Sequence, residues 1–193
     1  MDSIKKDYKL KINKDVQLDL PYVECSPQSF YSFNLLGKAK LNKEIAQELF
    51  TKMNGLNLQV DYLVTVEAKA IGLTQELTRR LNIDDYCVIR KSKKSYMIKP
   101  ISTKGSTIIS GDASYWLDGV DQLKLNNKNI VICDDVISTG GTMNSVFELL
   151  KKCNVNIVLI LCAATEGKKW KEFNDIPVLS LAHIPFPGEE NEK

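Results

Sequence analysis

The run Val131-Ile132-Cys133-Asp134-Asp135-Val136-Ile137-Ser138-Thr139-Gly140-Gly141-Thr142, with the amphipathic stretch 143–150 directly behind it, constrains this chain more than any other feature. An apolar strand candidate ends in an acidic pair, turns through hydroxyls and glycines, and becomes a helix. The same alternation runs through the chain. Leu41, Ile45, Leu49 and Ala46, Phe50, Met53 recur at helical spacing. Residues 60–66 read as a strand, 73–81 as a helix, 86–89 as a strand, 129–133 as a strand and 155–162 as a buried strand. Strands alternating with helices predict an α/β fold with a central parallel sheet flanked by helices. Before the first helix, Tyr8, Leu10 and Ile12, a turn at Asn13-Lys14-Asp15, then Val16, Leu18 and Leu20 predict a small β-hairpin. The stretch 91–128, with Pro100, Gly105, Gly111 and Gly119, fits the alternation poorly and is expected to hold a long functional loop.

The loop chemistry narrows the ligand. Unpaired N–H groups and the positive end of the dipole at a helix start favour an anion, and Gly140 and Gly141 let a phosphate approach the backbone. Ser138, Thr139 and Thr142 add hydroxyl donors. A phosphate alone would be repelled by Asp134 and Asp135. A ligand with vicinal hydroxyls beside its phosphate answers both, because ionised carboxylates only accept hydrogen bonds and sugar hydroxyls donate them. The run therefore describes a sugar phosphate site, with room for a divalent cation. No lysine follows the glycines as in an NTPase phosphate loop, and no G-x-G-x-x-G opens the helix.

Composition removes other classes. At 193 residues, 44% hydrophobic, the chain suits a single domain. A net charge of +2 lacks the field of a duplex-binding protein, so no nucleic acid partner is expected. The longest apolar run, 157–164, falls far short of the roughly 20 residues of a membrane helix, and the N-terminus shows no signal-peptide pattern, so a soluble, cytoplasmic protein without a membrane partner is expected. The five cysteines are scattered without C-x-x-C spacing and read as reduced core residues. With His183 as the single histidine, the chemistry is expected to proceed without imidazole.

The run 131–142 resembles the phosphoribosyl pyrophosphate (PRPP) signature of type I phosphoribosyltransferases. That resemblance implies that Ser138, Thr139, Gly140, Gly141 and Thr142 cradle the 5-phosphate, that Asp134 and Asp135 hold the ribose hydroxyls, and that Val136 packs on the accepting base. It also implies magnesium carried mainly by PRPP, with no direct metal ligand from the chain, and a homodimer. Two further segments resemble the adenine phosphoribosyltransferases. Val66-Glu67-Ala68-Lys69-Ala70-Ile71-Gly72 is similar to their E-A-R-G-F pyrophosphate loop, with Lys69 at the arginine position and hence without its bidentate fork. Val88-Ile89-Arg90-Lys91-Ser92-Lys93-Lys94 is similar to their R-K-x-x-K segment. The resemblance assigns Ala68, Lys69, Arg90, Lys91 and Lys94 to pyrophosphate, with Lys69 also counted as catalytic.

By this resemblance the protein is a glycosyltransferase of purine salvage, transferring phosphoribose from PRPP to a purine, adenine by preference. Serine at position 138, where the 6-oxopurine branch carries aspartate, favours adenine. Xanthine or another base, and a regulatory protein that binds PRPP without turnover, are the alternatives. The catalytic loop glutamate of adenine enzymes is missing from Gly105-Ser106-Thr107-Ile108-Ile109-Ser110-Gly111, and Asp112 is its nearest acidic substitute. The loop 99–112 is expected to act as a lid. The resemblance gives a core at about 37–164 and a small hood from 1–36 and 165–193. Trp116, Trp170 and Tyr115 are expected to pack rather than stack on a base, and Lys168, Lys169 and Lys171 to mark an exposed helix face.

Overall fold

A computed structural model describes residues 7–107 and 111–189, with the backbone alone for 104–107 and 111–113. Its centre is a six-stranded sheet. In chain order the elements begin with β1 (Tyr8–Lys11) and β2 (Gln17–Leu20), the expected hairpin, then the short pair β3 (Tyr22–Val23) and β4 (Phe30–Tyr31). Next come α1 (Ala39–Asn54), β5 (Tyr62–Val66), α2 (Ile71–Leu81) and β6 (Tyr86–Ile89). A second hairpin, β7 (Ile101–Thr107) and β8 (Gly111–Leu117), leads through α3 (Gly119–Leu125) to β9 (Asn129–Ile137) and α4 (Gly141–Leu150). The chain closes with β10 (Asn156–Glu166), β11 (Glu172–Phe173) and β12 (Ile176–Ile184). The sheet order is β11-β12-β10-β9-β5-β6, parallel except for the edge strand β11.

Period-two alternation divides the core between the two faces of the sheet. Val131, Cys133, Leu159 and Leu161 turn to one side, where Ile45 and Leu49 of α1, Leu73 and Leu77 of α2, and Leu10 and Leu20 of the N-terminal hairpin cover them. Ile130, Ile132, Ile160 and Cys162 turn to the other, against Val146 and Leu149 of α4, Leu125 of α3, and Tyr115 and Leu117 of β8. Both faces being covered, β9 reads as a continuous apolar run up to its acids.

Two expectations change. The stretch expected as a loop at 99–112 is largely a β-hairpin, docked on the sheet edge where Arg90 and Trp116 exchange backbone hydrogen bonds, while 108–110 lie outside the described residues. The segment 165–184, expected in the hood, supplies β12 to the main sheet; Pro177 is tolerated near the strand's start, opposite the two-residue edge strand β11. The N-terminal hairpin packs against α1 and β12, and the part of the expected hood that overhangs the strand ends is the segment around β3 and β4, with Phe186. Lys168, Lys169 and Lys171 occupy a turn before β11 and no helix.

Candidate active site

The carboxyl ends of β5, β9 and β10 open into a cleft of about 490 Å³, roofed by the segment 25–33 and by Phe186. Open parallel sheets bind ligands at this end, because the loops there converge and the following helices point their N-termini at it. Ser138, Thr139, Gly141 and Thr142 line the cleft where β9 passes into α4. Gly140 shapes the loop from behind. Its φ of +87° lies in the left-handed region, and an added Cβ would come within 2.8 Å of the Phe173 ring. Trp170 braces the same turn, its Nε1 donating to the Ser138 carbonyl at 2.7 Å while its ring packs on Phe173. Trp170 is therefore a packing residue. Trp116 likewise sits on the hairpin under Lys93, and Tyr115, only 1% exposed, reaches the cleft wall.

The acidic pair is asymmetric. Asp135 faces the cleft, with one carboxylate oxygen, Oδ2, buried without a hydrogen-bond partner and 3.6 Å from Lys69 Nζ. Asp134 lies beside it outside the cleft wall, its Oδ1 accepting the Asp135 amide at 2.9 Å. Burial, then the neighbouring Asp135 carboxylate, holds Asp134 well above the usual carboxylate range. A buried acceptor left unmatched costs roughly 1–3 kcal/mol, so Asp135 is prepared for a donor.

Lys69 projects from the turn after β5 and donates to the Phe33 carbonyl at 3.3 Å, joining roof and sheet. Lys91 and Val136 also line the cleft; Ala68, Arg90 and Lys94 do not. The reason is Glu67. Its carboxylate lies 2.7 Å from Arg90 Nε and 4.0 Å from Lys94 Nζ and accepts the Lys91 amide, which draws Arg90 and Lys94 toward itself. Asp112 pairs with Ser106 in the hairpin register, and its side chain lies outside the described residues.

Sequence reasoning misplaced one member of the cleft, Cys25, as a core residue and passed over a second, Glu166. Cys25, half-exposed, lines the roof, whereas the other four cysteines are buried and free as expected. Glu166 ends β10 and lines the cleft between strand ends and roof. Its signal was positional: the first acid after a long apolar run, in the strand adjoining the one that bears the acidic pair. His183 is satisfied by Thr165 Oγ1 at 3.0 Å.

This geometry agrees with what the chain resembles. Residues 35–189 match the phosphoribosyl transferase domain. The chain belongs to the phosphoribosyltransferase family. Its curated relatives include purine phosphoribosyltransferases of two kinds. The adenine phosphoribosyltransferase of Campylobacter fetus is 34% identical over 64% of this chain and 65% of its own, so that match spans just under two thirds of the relative. The hypoxanthine/guanine phosphoribosyltransferase of Methanothermococcus okinawensis is 28% identical over 86% of this chain and 88% of its own. Among solved structures, the adenine phosphoribosyltransferase of Thermoanaerobacter pseudethanolicus superimposes with a TM-score of 0.70 at 19% identity, covering 85% of this chain and 95% of that one. This phosphoribosyltransferase thus has the type I fold, and among the described residues no helix is long and apolar enough to cross a membrane.

Proposed function

We propose that this phosphoribosyltransferase moves phosphoribose from PRPP to a purine, adenine in preference, releasing pyrophosphate, as a cytoplasmic homodimer using magnesium that arrives with PRPP. The observation that carries the reading is a convergence. One cleft holds a hydroxyl and glycine loop at a helix start, a buried carboxylate oxygen awaiting a donor, and Lys69 and Lys91. The loop 138–142 takes the 5-phosphate, with Gly140 setting its path from behind. Asp135 accepts from the ribose hydroxyls, and Asp134 braces it from beneath by accepting the Asp135 amide. Val136 packs against the base.

The chemistry is positioning and electrostatics. As the bond from C1′ to the leaving oxygen lengthens, Lys69 and Lys91 meet the growing negative charge, and the Asp135 carboxylate meets the positive charge developing on the ribose. Ala68 belongs to the turn that presents Lys69, and Arg90 and Lys94 contribute to the field at the cleft mouth. Magnesium prefers oxygen ligands and retains several waters. The unmatched Asp135 oxygen suits a ribose hydroxyl or a magnesium-bound water as donor, so the residues present fit the ion. Bound to the diphosphate, magnesium neutralises part of its charge.

Serine at position 138 supports adenine, and the hypoxanthine/guanine relatives support a 6-oxopurine as the second reading. The test is incubation with PRPP, magnesium and adenine, hypoxanthine, guanine or xanthine, following pyrophosphate release. Fastest release with adenine is expected. PRPP binding without release for any base would replace the transferase reading with that of a PRPP-binding regulator.

A further inference from the structure

Transfer to a neutral purine leaves a proton to be removed, and none of the described side chains given a role in the cleft so far takes it. The lone pair of the attacking ring nitrogen forms the bond to C1′, and the C1′–O bond breaks with its electron pair leaving on pyrophosphate. The hydrogen on the purine ring must then pass to an acceptor. Asp135 is assigned to the ribose hydroxyls and lies 3.6 Å from the Lys69 ammonium, and Asp134 lies outside the cleft wall with an oxygen given to the Asp135 amide. The side chain of Asp112 lies outside the described residues.

Glu166 remains. Thr165 of β10 pairs with Ile137 of β9, which sets Glu166 beside Ser138, in the same cleft as Val136. No ion pair holds its carboxylate among the described residues, and the donor beside it is the Ser138 hydroxyl. The Phe186 ring lies over the next residue: a Cβ on Gly167 would meet the ring's Cε2 well inside van der Waals contact. An apolar lid beside a carboxylate disfavours its charged form, and burial does raise Glu166, with Asp135 pushing the same way and Ser138 and Lys69 opposing. A carboxylate whose affinity for a proton is raised is a better proton acceptor than an ordinary surface glutamate.

We propose that Glu166 is the general base of this transfer, its carboxylate taking the ring proton of the purine as the C1′–N bond forms and releasing it to solvent after the product departs. The proposal rests on the phosphoribosyl-transfer reading. It places the proton acceptor on β10, separate from the loop that binds the 5-phosphate.

The test uses the full chain with Glu166→Gln and Glu166→Asp, measuring pyrophosphate release with adenine and PRPP binding by calorimetry. Glu166→Gln is expected to lose about 100-fold or more in kcat, the range typical of general bases, with PRPP affinity unchanged. Its acid limb in kcat/KM should vanish, while Glu166→Asp, with the carboxylate kept, should retain part of the rate and the limb. The other groups facing Glu166, namely Lys69 from the turn after β5, Asp135 on β9 and Ser138 after it, are the same in all three proteins. The deficit should shrink for 8-aza purines, whose ring N–H is more acidic. A raised KM for adenine at unchanged kcat would overturn the proposal, making Glu166 a reader of the base edge. Weakened PRPP binding would also overturn it. Wild-type protein that fails to bind PRPP would refute the transferase reading itself, a separate result.

Discussion

Asp135 and Asp134 are adjacent carboxylates with opposite tasks. Asp135 offers an unmatched oxygen to the cleft, so Asp135→Asn is expected to weaken PRPP binding by roughly 1–3 kcal/mol, the loss of a charge-assisted hydrogen bond, with the fold intact. Calorimetry checks this, and unchanged affinity would return the residue to a structural role. Asp134 is held above its ordinary value by burial and by Asp135. Below the unfolded value of 3.8, native and unfolded chains are both protonated there. Above it the unfolded chain releases a proton that the native one keeps, so this group's contribution to stability falls as pH rises toward its native value. Asp134→Asn should therefore raise Tm over wild type at pH 7, and the gain should close near pH 4. Equal gains at both pH values in a thermal melt would contradict this assignment.

The element to which the proposed function gives the 5-phosphate is the turn from β9 into α4, and it depends on a backbone only glycine adopts easily. Gly140→Ala places a side chain in the left-handed region and against Phe173, and should cost at least about 1–2 kcal/mol in denaturant unfolding. Because the turn would shift toward the cleft, PRPP affinity should fall as well. This turn was readable in the sequence because its requirements are local: an apolar run, acids, glycines, an amphipathic helix. The helices α1 and α2 and the strands β5 and β6 declared themselves by period for the same reason. The hairpin β7–β8 did not, since Ile101-Ser102-Thr103-Lys104 alternates weakly and the hairpin's anchorage comes from distant partners, Trp116 against Arg90 and Leu117 in the core. Nor did β12, whose Pro177, Ser180 and His183 look like loop until β10 supplies the ladder. In the site, Lys69, Lys91, Asp135 and Val136 were legible by resemblance. The withdrawal of Arg90 and Lys94 was not, because it depends on where Glu67 points.

At the scale of the whole molecule, the three most exposed large apolar side chains among the described residues lie on α3 or in the segment hydrogen-bonded to its start. Leu123 is 79% exposed, Tyr96 62% and Ile98 61%, and Ile98 is tied to α3 through the Gly119 amide. Exposed apolar residues grouped on one part of a surface mark association surfaces. Sedimentation should show the proposed homodimer at micromolar concentration, and Leu123→Glu together with Ile98→Glu should shift it toward monomer. A dimer undisturbed by both changes would place the interface elsewhere. The hydrogen bond from Trp170 to the Ser138 carbonyl has an optical consequence. With Trp116 as the second of two tryptophans, Trp116→Phe leaves a single indole, fastened to the turn 138–142 and stacked under Lys168 at 3.8 Å. Its emission becomes a reporter of loop occupancy, able to time the arrival and departure of PRPP in a stopped-flow cuvette without any attached dye.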